Sequence, residues 1–501
     1  MTKDSNVITG VDKEKLNLIL NQAPLMLEQG QFTQLQNLIN SLPDELHSPW
    51  VFYWSASATL PIDPHSARQH YEAALKDFEK AKDLTGIYMS WAGIVDSFIF
   101  SWDDFKPLDD WIQWMQVFMQ ENPGFPSPEV EARIVFAMFC SLMYRQPQHP
   151  DLPVWSHRLG GMLEHIPDKN RRIAIATHYA LYLGWMGEFE ELTAVVERLK
   201  PSATIENVQA VHLIAWYQTE AMHYWLSADF EQSKKSVMAG LALADSSGIH
   251  LWDFILRVQD AYLAFESSTS EQWQSYLQNI LSIMDKNGRL HQAHYYYVAA
   301  LEALLQNRLD RAEVHISKSL KAATELGTPY PEALNCIASA RILIALARFE
   351  EAMVFLQRSE LLAQQINSHF LSFNLELTRA EFFFAQQQQQ EGVQALSKAL
   401  ASAHLKKYFN IDWWRADVMC ELCIQALENN IEVAFVQQLI KKRKIFPQRP
   451  PFNIDNWPWK VRIYTLGRFS VLLLGKSLSI NGNAKNKPIE LLKALVAMGG
   501  A

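Results

Sequence analysis

The stretches "NRLDRAEVHISKS" (307–319) and "ARFEEAMVFLQRS" (347–359) lie forty residues apart and carry one pattern. Four further segments align with them: "GEFEELTAVVERL" (187–199), "ADFEQSKKSVMAG" (228–240), "SEQWQSYLQNI" (270–280) and "QQQQEGVQALSKA" (387–399). Each has an inward position, a large apolar residue four later and a third, mostly small, residue three beyond that. The first positions are Leu192, Ser233, Trp273, Ala312, Ala352 and Gly392, at spacings of 41, 40, 39, 40 and 40. The second are Val196, Val237, Leu277, Ile316, Leu356 and Leu396, and the third are Leu199, Gly240, Ile280, Ser319, Ser359 and Ala399. Offsets of four and three fall on one helical face. A small residue there lets a neighbouring helix approach, and the large one fills the gap. One such helix pair cannot bury its face alone, so the pairs must stack.

The pattern resembles the tetratricopeptide repeat, lengthened from about 34 residues to about 40. Ala67, Tyr71 and Ala74 form an earlier copy, and "LMLEQGQFTQLQNLINSLP" another. The expected fold is mainly α: a tetratricopeptide-like helical-repeat solenoid over 1–445, followed by a short α+β segment. In "FFFAQQQQQEGV" the glutamines fall where the repeat needs a turn, and an enlarged polar turn is expected.

Bulk properties agree. The 501 residues exceed one ordinary core, and at 49% hydrophobic and 20% charged most of the chain should fold. Four cysteines make no disulfide framework. The first residues lack the apolar core of a signal peptide, and no uncharged apolar run reaches the roughly 18–20 residues of a membrane helix. A cytoplasmic protein without membrane association is expected. The net charge of −9 is uneven: residues 441–501 hold twelve Lys/Arg against two acidic residues, a net of +10. An acidic body with a basic tail suits contact between the tail and a polyanion, or a solvated linker.

Motifs for catalysis, cofactors or metals are incomplete. "GKS" at 475–477 has Ser470 where a phosphate loop needs glycine. Cys420 and Cys423 have C-x-x-C spacing but no second ligand pair, and they read as small buried residues on a helix. His291 and His294 lack a third ligand. No enzyme, cofactor or metal site is expected. Among the aromatic residues, Trp185, Trp216, Tyr217, Tyr224, Trp225, Trp252 and Tyr295 to Tyr297 lie between repeats. Inter-repeat packing accounts for them; so does an aromatic groove for an effector or protein partner on the solenoid's inner face.

After a proline-rich stretch, expected as a linker over 446–460, the language changes. "VRIYTLGRFSVLLLG" reads as two short strands, "KSLSI" as a third, and "KPIELLKALVAMGG" as a helix with Leu491, Leu492 and Leu495 on its apolar face. Leu466, Gly467, Phe469 and Val471, then Lys487, Pro488, Glu490, Leu491, Leu492, Leu495, Gly499 and Gly500, resemble the start of a winged-helix domain. That domain belongs to bacterial regulators with a transcriptional activator domain, the antibiotic-regulator family and the large maltose-activator-like ATPase regulators. The resemblance implies an OmpR-type winged helix beginning at 461, DNA as a partner, and a sensor role for the repeats, possible homo-oligomers included. It also implies a chain truncated at both ends, without the preceding ATPase, the recognition helix or the wing. Arg468, Lys485 and Lys487 are the candidate phosphate contacts, with a solvated face as the alternative reading. The competing expectation is a protein–protein interaction scaffold with no transcriptional role.

Overall fold

The structure is a computed structural model that describes residues 9–267, 270–447, 451, 454–465, 469–473, 475–478 and 486–499. The chain packs as two units, Met1–Arg415 and Ala416–Ala501.

The first unit is helical throughout its described residues, bar the connections. Its helices alternate between two layers. Inner helices pack side by side: Leu84–Ser101 on Pro128–Arg145, Lys169–Met186 on Ala210–Leu226, and Pro329–Ala345 on His369–Ala385. Outer helices, such as Phe230–Ser247 and Phe349–Ile366, each fold back on the inner helix before them. The inner helices are buried nearly all round, whereas the outer ones expose one face, where Met238, Val314 and Val354 lie. This is a tetratricopeptide-like solenoid.

The aligned positions carry the packing. Of the eighteen repeat residues named above, all but the half-buried Trp273 are buried. Two of the three serines at these positions bond across the pair: Ser233 Oγ donates to Ala221 O at 2.7 Å and Ser319 Oγ to Ala293 O at 2.7 Å, whereas the buried Ser359 hydroxyl has no partner. In those two a hydroxyl keeps the close approach of a small residue while satisfying its own polarity. The hairpin turns 227–229, 306–308, 346–348 and 386–388 each have a residue in the left-handed region: Ala228, Asn307, Ala347 and Gln387. Gln387 (φ 62°) occupies the place of Asn307 and Ala347. The glutamine turn is therefore not enlarged. It spans only residues 386–388, between helices His369–Ala385 and Gln389–Lys406, as 346–348 does one repeat earlier. The two later glutamines extend the helix, for which glutamine has good propensity.

The first unit also closes on itself. Residues some 180–220 positions apart meet where the superhelix completes a turn. Arg145 Nη1 donates to Gly327 O at 2.8 Å, Phe105 N to Leu326 O at 2.9 Å, and Arg289 pairs with Asp103 at 2.7 Å. Further along, Tyr408 OH donates to Gly187 O at 2.8 Å, Lys406 pairs with Glu188 at 2.7 Å, and Asn410 Nδ2 donates to Trp225 O at 2.9 Å. The inner face of these repeats thus surrounds a partly open interior.

The second unit begins with helices Ala416–Glu428 and Val433–Lys442. The segment expected as a linker buries Ile454 and Trp457, and Arg462 donates to Trp457 O at 2.6 Å. Strands β1 (Val461–Tyr464), β2 (Ser470–Leu473) and β3 (Lys476–Ser477) form an antiparallel meander in the order β1-β2-β3, with Ile463 opposite Val471. Helix Asn486–Ala497 follows. Among the described strand residues only Val471 is buried, and the helix's expected apolar face is largely in solvent, Leu491 at 62% and Leu495 at 43% exposure.

Candidate functional site: an aromatic chamber on the axis of the repeats

Because the turn of the superhelix closes, the C-terminal ends of successive inner helices face one another. Aromatic side chains occupy these ends. Trp102 meets Tyr144 (ring centroids 5.2 Å apart), Tyr144 meets Trp185 (5.8 Å), and Trp185 stacks flat on Tyr330 from the far side of the turn (4.5 Å, 5° between planes). Between them lies a cavity of about 230 Å³, lined also by Trp225, Trp252, Tyr262, Tyr297 and Phe370. A cavity of roughly 150 Å³ holds benzene, so this one has room for a ring and a short substituent.

The walls are apolar but not inert. Six polar atoms of lining residues are buried with no protein partner: Tyr144 OH, Trp225 Nε1, Trp252 Nε1, Gln259 Nε2, Thr328 Oγ1 and Asn335 Oδ1. Buried polar groups are almost always bonded, because leaving one unmade costs about 1–3 kcal/mol. These six belong to residues gathered around the cavity from both sides of the closure.

Asp412 is the carboxylate in the lining. Burial raises its pKa to about 6, against the pull of the nearby Arg341 charge. Arg341 is itself buried and directs its donors elsewhere: Nε to Thr378 Oγ1 at 3.0 Å and Nη1 to the main-chain oxygen of Asp412 at 2.8 Å. The lining histidines are held neutral. Burial pushes His294 down to about 4, and lowers His178 as well. At neutral pH the chamber therefore presents aromatic faces, several N–H and O–H donors, and one carboxylate.

Of the aromatic residues singled out in the sequence, Trp185, Trp225 and Trp252 line the chamber together. Trp216 is fully buried with its Nε1 donating to Glu220 at 3.0 Å, Tyr217 packs against Gly240, and Tyr224 accepts from Lys200 Nζ at 2.7 Å. Tyr297 lines the chamber too, whereas Tyr295 and Tyr296 do not. Sequence reasoning missed Trp102, Tyr144, Tyr262, Tyr330, Gln259 and Asp412. One signal was present: Trp102, Tyr144, Trp185 and Trp225 recur at intervals of 42, 41 and 40 residues.

The remaining candidates fall elsewhere. Lys487 is exposed on its helix, while Arg468 and Lys485 lie outside the described residues. Cys420 and Cys423 are buried free thiols, with burial pushing Cys420 up to about 11. His291 stacks on Phe254, and its Nδ1 accepts from Asp285 N at 2.9 Å. Among the described residues no cluster of His, Cys, Asp or Glu has the form of a metal site, and no helix is long and apolar enough to cross a membrane.

Fold and site together define a helical-repeat protein of the tetratricopeptide type, an architecture typical of interaction scaffolds. No family model matches the chain, and no curated protein does. Solved structures share the repeat architecture at low identity. A Rap protein complexed with Competence and Sporulation Factor is 11% identical, with 63% of this chain and 88% of that one covered and a TM-score of 0.43. Cut9, in the APC/C hetero-tetramer Cut9-Hcn1, is 10% identical over 90% of each chain, with a TM-score of 0.39. Yeast Tom70 is 10% identical, covering 87% of this chain and 93% of its own, with a TM-score of 0.31.

Proposed function

We propose that the repeats form a receptor for a small-molecule effector bound in the axial chamber, a binding rather than a catalytic role. One observation carries this: six partnerless polar atoms in the wall of an aromatic cavity. An open solenoid offers a groove to a peptide or protein. Here the contacts of residues 102–145 with 289–330, and of 185–225 with 368–410, close that groove and leave space for a small ligand. A ligand touching helices from both sides of the closure stabilises the closed turn relative to an open one. Binding thereby becomes a bias on the shape of the unit.

The finer reading is that this bias governs a C-terminal DNA-binding winged helix, in a cytoplasmic bacterial transcriptional regulator. It rests on the sequence resemblance of 459–500, and the order of three antiparallel strands and a helix supports it. The comparisons lend it nothing further. The scaffold reading is favoured by the repeat fold as such.

Thermal denaturation of the full chain across a library of small amphipathic compounds tests the receptor. A ligand at 100 times its dissociation constant stabilises by about 2.7 kcal/mol, enough for a clear upward shift. The lining residue Leu181 provides the control: Leu181→Trp fills the chamber and should abolish every such shift while leaving the helical circular dichroism intact. Shifts of equal size in the variant, or none in either protein, would count against the proposal.

A further inference from the structure

The geometry points to a small organic cation as the ligand of the chamber, with its positive group at Asp412 and its oxygen acceptors at the indole N–H groups; this rests on the receptor reading above. The Asp412 carboxylate is the feature that selects the charge. The Asp412 side chain is half-buried, with a main-chain N–H bond to its carboxylate, and a carboxylate drawn out of water is ordinarily also ion-paired or held by further donors. Among the described residues, no side chain donates to it. Arg341, the cation whose charge acts on it, bonds Thr378 Oγ1 and the main-chain oxygens of Asp412 and Trp413 instead. The adjacent Arg415 is taken by Glu381 at 3.0 Å. What surrounds the carboxylate is aromatic: Tyr262, Tyr297 and Tyr330 all feel its charge, and all three line the chamber.

Aromatic faces around a carboxylate are the arrangement that holds ammonium groups. The ring quadrupoles attract the cation and the carboxylate neutralises it. Trp185, stacked on Tyr330, and Trp225, 5.5 Å from Tyr262, extend the cage. The same surroundings disfavour an anion, which would meet Asp412 across an apolar space. A wholly neutral hydrocarbon would leave both the carboxylate and the six partnerless polar atoms unsatisfied. Two of those six are indole N–H groups and one is the Gln259 amide nitrogen, so an oxygen acceptor on the ligand completes the match. The cavity volume accommodates a ligand body of about one ring with a short arm.

Three probes of one shape separate the possibilities: 2-phenylethylammonium, 2-phenylethanol and 3-phenylpropanoate. They are titrated at pH 7.5 into the full chain while tryptophan fluorescence is followed. Trp102, Trp185, Trp225 and Trp252 report from the wall. The expected result is saturable binding of the ammonium probe at least tenfold tighter than of the alcohol or the carboxylate. Asp412→Asn should remove that preference, weakening the ammonium probe at least tenfold while changing the alcohol less than twofold. Equal or tighter binding of the alcohol or the carboxylate overturns the cation inference and leaves the receptor intact. A preference that survives in Asp412→Asn overturns the role of the carboxylate. Failure of all three probes to bind also overturns the inference, while the receptor itself stands or falls with the compound library and Leu181→Trp.

Discussion

Gly187→Ala should destabilise the protein by about 2–4 kcal/mol, out of proportion to one added methyl. Gly187 ends the helix Lys169–Met186 with φ of 84°, a conformation that costs a residue with a side chain about 1–2 kcal/mol. A Cβ here would also stand 2.1 Å from Tyr408 OH and 2.9 Å from the main-chain nitrogen of Phe370. Overpacking of this kind adds about 1–3 kcal/mol. Both neighbours belong to the far side of the closure, so the effect is a property of the closed turn and not of the local hairpin. A double-mutant cycle isolates that part. Tyr408→Phe alone loses the bond to Gly187 O, at about 1 kcal/mol. With the hydroxyl gone the closest clash is relieved, and the double variant should be milder than the sum of the singles. Chemical denaturation measures all three. Strict additivity, or a loss below about 1 kcal/mol for Gly187→Ala, would show that residues 187 and 408 do not meet.

Arg341→Met is expected to cost about 3 kcal/mol. Three acceptors converge on this fully enclosed guanidinium, and two are main-chain oxygens of residues 412 and 413 with few alternatives. Removing the donor leaves buried carbonyls unmade at about 1–3 kcal/mol each, partly offset because the guanidinium no longer needs to be desolvated. Trp413 makes the loss larger. Its backbone sits at φ 62°, unusual for so large a side chain, while its ring packs on Tyr297 at 5.2 Å and in the cluster around Ile342. Such strain persists only where the surroundings impose it, and Arg341 is the group that holds this segment. Arg341→Lys should recover only part of the loss, because an ammonium cannot span the three acceptors as the planar fork does. A loss below about 1 kcal/mol in Arg341→Met denaturation would contradict this role.

The helical repeat was legible because its determinants are local. A four-then-three spacing on one face, recurring every forty residues, already states which side of each outer helix is buried; Ala312, Ile316 and Ser319 show it. The chamber was not legible because its determinants are separated by a full superhelical turn. Nothing near Trp185 in sequence indicates that it stacks on Tyr330, and Asp412 follows the last of the six aligned segments. Five of the nine aromatic candidates lie away from the chamber for a related reason. Trp216 and Trp225 lie on one inner helix nine residues apart, a distance that helical periodicity leaves on opposite sides, and only the curvature of the array decides which side faces the axis. The glutamine run misled in the opposite direction. Its composition suggested an enlarged turn, but the turn length is set by the hairpin, and the extra glutamines simply continue a helix.

Closure of the repeat array is the premise of the chamber, and one cross-link tests it directly. Glu188 and Lys406 pair at 2.7 Å although 218 residues separate them, and the four native cysteines are buried. In the Glu188→Cys/Lys406→Cys double variant, a short bismaleimide should join the two positions within one chain in high yield, read as a 188–406 linked peptide by mass spectrometry. If both cysteines react with a monofunctional maleimide yet no intramolecular link forms, the turn is open and the chamber does not exist.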